Sequence, residues 1–189
     1  MRYYEGYSTD QVIYRSRSIK VFFECIESII VALISSVLIL TFIIRLVNVS
    51  GTSMLDTLED GDKLIVASLF YTPSNKDVVV ISRGQHYDKP IIKRVVATGG
   101  QTLNIDFNTG SVFVNGEEIY EPYIKNLTTK RGDIEIPQII PKGYVFVMGD
   151  NRDDSHDSRY YDVGLINESD ILGKAKFIIS PFNRIGKIH

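Results

Sequence analysis

The feature that most constrains this chain is an apolar run near its N-terminus. From Ser28 to Ile44, "SIIVALISSVLILTFII", there is no charged residue over about 17 positions. A helix of about 17 to 25 such residues crosses a hydrocarbon core. Glu27 and Arg45 bracket the run, and a long arginine side chain can reach the headgroup region. A secretory h-region is shorter and nearer the terminus, whereas here about twenty mostly polar residues come first. The run therefore predicts a membrane anchor. Arg15, Arg17 and Lys20 precede it, which predicts a cytoplasmic N-terminus and a remainder outside the plasma membrane. The expected organisation is a cytoplasmic tail over 1–20, a single-pass transmembrane anchor over 21–48 and an extracytoplasmic domain over 49–189.

That domain must hold itself together by its own core. The 189 residues include one cysteine, Cys25, and it falls in the anchor, so no disulfide framework is available outside. A net charge of −2 gives no basic footprint for nucleic acid. His86, His156 and His189 show no metal-ligand spacing, and no Gly-rich phosphate loop is present, so neither metal nor cofactor is expected.

Beyond residue 50 the chain reads as strands. "DKLIVASLF", "DVVVISR", "PIIKRVVAT", "GSVFVNGEEI", "GYVFVMGD" and "AKFIIS" are short, rich in Val, Ile and Phe, and bounded by turn residues. Asn108-Thr109-Gly110 and Asn115-Gly116 read as two successive hairpin turns. "NLTTKRGDIEIPQIIPKG" reads as a surface loop, and its Asn126-Leu127-Thr128 matches a glycosylation sequon. The expected fold class is mainly β, an antiparallel sheet or barrel-like domain.

Three stretches carry chemistry. A lysine serves as a base near neutral pH only if burial lowers its pKa, so the signature is a lysine inside an apolar strand. Lys93 in "PIIKRVVAT" fits, with Ile91 and Val95 on its face, although an outward-facing strand lysine has the same pattern. Ser53 in "NVSGTSMLDTLEDGD" is a candidate nucleophile, since Gly51 and Thr52 permit a tight turn that frees backbone N–H groups for an oxyanion. A linker or helix cap would read similarly. The third stretch, "MGDNRDDSHDSRYYDVG", mixes Asp, Asn, Ser and Arg directly after an apolar strand. It suits an internally hydrogen-bonded loop that orients its neighbours.

Together the three resemble the boxes of bacterial type I signal peptidases, the membrane-anchored serine–lysine kind, in a Gram-positive-like branch. "SGTSMLDTLEDGD" resembles the serine box, "IIKRVVATGG" the lysine box and "GDNRDDSHDSR" the acidic loop box, with "DVVVI" and "LGKAKFIISPF" filling the strands between and after. The resemblance implies a serine endopeptidase that removes signal peptides from exported precursors and needs no cofactor. It makes Ser53 the nucleophile and Lys93 the general base. It puts the Ser53 N–H in the oxyanion hole, with only main chain available at Gly51. It has Ser155 hydrogen-bonding the lysine, Asp157 pairing with Arg159 or Arg94, and Asp150 and Arg152 bracing the loop. Val49, Met54, Leu58 and Ile92 would line small apolar pockets that admit A-x-A cleavage sites, with the peptide adding a strand to a sheet edge. The partners implied are precursors and the lipid bilayer. Asp56 stands where the family usually has proline, which fits a specialised client such as a surface or pilus precursor. Near Lys93 it would raise the lysine pKa; facing outward it would matter little. A self-cleaving repressor-type Ser–Lys protease is disfavoured by the anchor. A signal-peptidase-like assembly partner without catalysis is the alternative reading.

Overall fold

The computed structural model describes residues 9–69, 71–87 and 89–189, with side chains excepted for 9–18 and 38–44. The chain divides into two compact units, residues 1–42 and 43–189.

In the first unit, helix α1 spans Thr9–Ile43. Its described side chains from residue 19 to residue 37 are exposed, Phe22, Phe23, Ile29, Leu33 and Ile34 among them. Among the described residues, no helix is long and apolar enough to cross a membrane. The anchor expected over 21–48 extends across 38–44, outside the described side chains.

The second unit is mainly β, an antiparallel sheet that curls around three apolar clusters. Its strands are β1 (Ile44–Asn48), β2 (Lys63–Ala67), β3 (Val78–Ile81), β4 (Ile91–Thr98), β5 (Leu103–Asp106), β6 (Ser111–Val114), β7 (Glu117–Glu118), β8 (Tyr144–Met148), β9 (Ile166–Asn167), β10 (Ile171–Ser180) and β11 (Gly186–Lys187). The main sheet runs β1-β2-β10-β3-β4-β8-β9, with β11 beside β10; β5-β6-β7 form a second, smaller sheet. Every pairing is antiparallel.

All six strands expected from apolar patterning are present, and so are both hairpin turns. Asn115, Gly116 and Gly110 take the positive φ that these turns require, at 54°, 82° and 79°. The boundary at residue 48 moves. Residues 44–48, read as the end of the anchor, form β1, in register with β2 from Ile44↔Ala67 to Asn48↔Lys63. Strand alternation explains this: Val47 packs on the core while Leu46 faces out. The loop over 126–143 is irregular as expected. Its sequon is part of the internal structure, because the Thr128 hydroxyl is buried and accepts from the Arg152 guanidinium.

Strand β4 organises the site. Its first half, Ile91–Arg94, pairs with β3, and its second half, Arg94–Thr98, pairs with β8 on the other side. On the β8 side, Ile91, Ile92 and Lys93 therefore have no strand partner among the described residues.

Candidate active site

A cleft of about 620 Å³ opens over this unpaired edge. One wall is the segment Val47–Met54, the floor is Ile91–Lys93, and the rim carries Asp153, Asp154, Ser155, His156 and Tyr160.

Ser53 and Lys93 meet inside it. The Lys93 ammonium donates to Ser53 Oγ at 2.6 Å. Lys93 is only 4% exposed, in a strand that is buried on both faces from residue 93 to residue 97. Burial is the main cause of its pKa falling from 10.5 to about 8. Asp157 and Asp150 pull the value back up, Arg159 pushes it down, and Asp154 raises it. The reading of Lys93 as an outward-facing strand residue is thereby excluded.

Ser53 sits in a tight turn. The Leu55 N–H donates to the Thr52 carbonyl, and the Leu58 N–H to the Met54 carbonyl. Gly51 opens the turn at φ 93°, a value that favours glycine. Its N–H, considered for an oxyanion, donates to Asp60 Oδ1 at 2.8 Å. Among the described residues the Ser53 N–H has no acceptor.

The acidic loop is a buried ion lattice. Asp157, fully buried, takes Arg159 Nε at 2.8 Å and the Gly149 N–H at 3.0 Å. Ser155, expected to hydrogen-bond the lysine, gives its hydroxyl proton to Asp157 at 2.7 Å. Arg94 pairs with Asp150, not Asp157, through Nε at 2.8 Å and a second guanidinium nitrogen at 2.6 Å. Arg152 pairs with Glu121 and donates to the Gly149 carbonyl. Such fork-shaped pairs fix geometry as well as charge. Among the described residues no buried side-chain polar atom lacks a partner.

Val49, Met54 and Ile92 line the cleft as expected. Leu58 does not; it is fully buried in the core cluster beneath. The turn from Met54 to Leu58, closed by the Leu58 N–H on the Met54 carbonyl, points the two side chains into the same core, and only Met54 reaches the cleft. Asp56 faces solvent, with 78% of its side chain exposed, and its partner is Lys125 at 3.7 Å. His156, on the rim, is bonded to Asp162 at 2.6 Å and stacked on Tyr160; His86 stacks on Tyr161.

Four participants make contacts that the sequence did not assign. Thr57 donates to Asp150 and accepts from Arg94, tying the serine turn to both other boxes. Thr52 donates to Asp154. Asn151 donates its backbone N–H to the Ser53 carbonyl at 3.0 Å and its side-chain amide to the Thr52 carbonyl at 3.1 Å. Gly149 lies where the loop crosses the serine turn: a Cβ there would stand inside van der Waals contact of the Ser53 carbonyl oxygen and the Ser155 hydroxyl. A glycine closing an apolar strand just before a polar loop is the one sequence signal for such a crossing.

Comparison with known proteins gives the same direction. The profile of the family described as signal peptidase, peptidase S26, matches residues 22–180. Signal peptidase I of Bacillus licheniformis is 34% identical over 175 residues, covering 87% of this chain and 92% of that protein. Signal peptidase IB of Staphylococcus aureus is 34% identical over 178 residues, covering 85% and 90%. A crystal structure of a signal peptidase I from Enterococcus faecalis aligns at 19% identity over 55% of this chain and 97% of that one, with a TM-score of 0.43. With the family profile spanning most of its length, the chain belongs to the signal peptidase family, peptidase S26.

Proposed function

We propose that this signal peptidase cleaves precursors with a Ser53–Lys93 dyad. The observation that carries the reading is the 2.6 Å contact between Ser53 Oγ and a lysine amine buried in a cleft. With Lys93 neutral, its nitrogen lone pair accepts the Ser53 proton as Oγ attacks the scissile carbonyl carbon. The tetrahedral oxyanion is met by the Ser53 N–H. Collapse breaks the C–N bond, and the Lys93 ammonium gives its proton to the leaving amine. The signal peptide is left as an ester on Ser53. Water, deprotonated by Lys93, then hydrolyses the ester and frees the serine.

The unpaired edge at Ile91–Lys93 supports an extended substrate that adds a strand there. Val49, Met54 and Ile92 give small apolar contacts that suit A-x-A side chains. The Ser53–Lys93 geometry favours catalysis over a purely structural role in assembly. The outward Asp56 leaves the dyad undisturbed, so a narrow client range, surface or pilus precursors included, would arise from the cleft rim.

The same reading has the N-terminal segment anchoring the enzyme in the plasma membrane, N-terminus inside. Two features support a lipid-facing setting. The described side chains of α1 are exposed and mostly apolar. In the second unit, Leu46, Ile65 and Phe177 are lateral neighbours on the outer face of the sheet, with Leu46 70% exposed. Co-flotation with anionic vesicles tests this; loss of binding only in a Leu46→Ser/Phe177→Ser variant would confine lipid contact to the sheet.

The dyad is tested with full-length protein and a precursor bearing an A-x-A site. Ser53→Ala and Lys93→Met should each stop cleavage while the protein stays folded. The gap between 10.5 and about 8 for Lys93 corresponds to about 3 kcal/mol against a buried ammonium. At pH 7, below both values, that penalty is fully present, so Lys93→Met should melt higher than wild type. Cleavage by either variant at the wild-type rate rejects the dyad.

A further inference from the structure

We infer that Asn151 is a positioning residue that aims the oxyanion-binding N–H of Ser53; this rests on the Ser–Lys reading above. The peptide bond is planar. In a trans peptide the C=O and the following N–H point in opposite directions. A donor that holds the Thr52 carbonyl on one side therefore fixes the Ser53 N–H on the other.

Asn151 supplies that donor, beside the Leu55 N–H, which reaches the same carbonyl at 3.2 Å. Its side-chain amide reaches the Thr52 carbonyl at 3.1 Å, and its backbone N–H reaches the Ser53 carbonyl at 3.0 Å. One residue thus grips both peptide planes that flank the nucleophile, while among the described residues the Ser53 N–H itself has no acceptor.

The local structure says the side chain is committed to this task. Asn151 occupies the N-cap of a short 3-10 turn, Arg152–Asp154, and asparagine is a favoured capping residue. Here its side chain makes no capping bond, and its amide turns to Thr52 instead. Asn151 is 6% exposed, so little water competes for the bond. Two further features hold the same two segments together: Thr52 donates to Asp154, and glycine at 149 allows the loop to lie against the Ser53 carbonyl.

The consequence is a separation of tasks. Lys93 governs the proton, and its charge partners are Asp157, Asp150, Arg159 and Asp154. Asn151 is neutral and governs only where the Ser53 N–H points. Its loss should weaken the tetrahedral state and leave ground-state binding and the lysine titration alone.

The experiment uses full-length Asn151→Ala and Asn151→Leu, the second of which removes the donor at similar volume without adding a charge near Lys93. The probes are a chromogenic peptide with an A-x-A cleavage site and a boronate of the same peptide, which forms a tetrahedral adduct on Ser53. Direct removal of an oxyanion donor costs about 10²–10³ in kcat, so losing its aim should cost about 10- to 100-fold. The expected result is that drop in kcat, a KM within about twofold of wild type, an unmoved pH midpoint, and boronate affinity falling by the same factor as kcat/KM. Wild-type kcat in a folded Asn151→Leu overturns the inference. So does a loss carried by KM, or a shifted pH midpoint. Ser53→Ala and Lys93→Met run beside it: if they are inactive while Asn151→Leu is normal, only this inference fails. If Ser53→Ala cleaves, the Ser–Lys reading fails and the inference with it.

Discussion

Replacing Gly149 by alanine adds one methyl group at the crossing of the acidic loop and the serine turn. The new Cβ would lie 2.6 Å from Ser155 Cβ, and closer still to the Ser155 hydroxyl and the Ser53 carbonyl oxygen. Real Cβ atoms keep at least 3.0 Å from such neighbours, so these three must give way by about 0.4 to 0.8 Å. Neither neighbour is free to do so. Ser155 is bonded to the buried Asp157, and the Ser53 carbonyl is bonded to Asn151. Overpacking of this kind costs about 1–3 kcal/mol of stability, and each kcal/mol lowers the melting temperature of a domain this size by about 2–4 °C. A misplacement of about 1 Å at reacting groups costs about 10²-fold in rate. Gly149→Ala should therefore lose about 10- to 100-fold in kcat/KM while remaining folded at 25 °C. The assay is peptide cleavage by full-length protein beside a thermal melt. Wild-type cleavage with an unshifted melt would show that the loop yields freely, and the argument from rigid apposition would be wrong.

Two other substitutions separate buried from exposed charge. Asp157→Ala leaves the guanidinium of Arg159 buried without its carboxylate, which should cost about 3–5 kcal/mol, read as a lowered denaturant midpoint. Asp56→Asn breaks only the exposed contact with Lys125, so stability should stay within about 0.5 kcal/mol and cleavage should be unchanged at pH 7.

Much of this was legible in the residues. The strands announced themselves because Val-, Ile- and Phe-rich runs end at turn formers, and Lys93 stood out because it interrupts such a run. Strand β1 was hidden because "IRLVN" continues an apolar segment, and nothing in its composition separates the two. Strand β5, "LNID", is too short and too polar to register. The Leu58 expectation failed because the hydrogen-bonded turn after Ser53 buries that side chain in the core. Charge partners were the least legible. Arg94 finds Asp150, 56 positions away, and Arg152 finds Glu121, 31 positions away; only the folded sheet brings them together. Asn151 looked like one more polar loop residue, since its bonds go to backbone carbonyls that carry no sequence signal.

The central claim is that a buried, neutral lysine takes the serine proton, and the pH dependence of kcat/KM tests it most directly. Lys93 titrates at about 8 in the folded protein, chiefly because burial disfavours its charge. Only the neutral amine can act as base, so at pH 7 about a tenth of the enzyme is competent. The rate should rise about tenfold per pH unit up to about pH 7.5 and level off above about pH 8.5, and His156→Ala should not move the midpoint. A profile already flat from pH 6 upward, or a midpoint that vanishes with His156, would contradict the lysine as base.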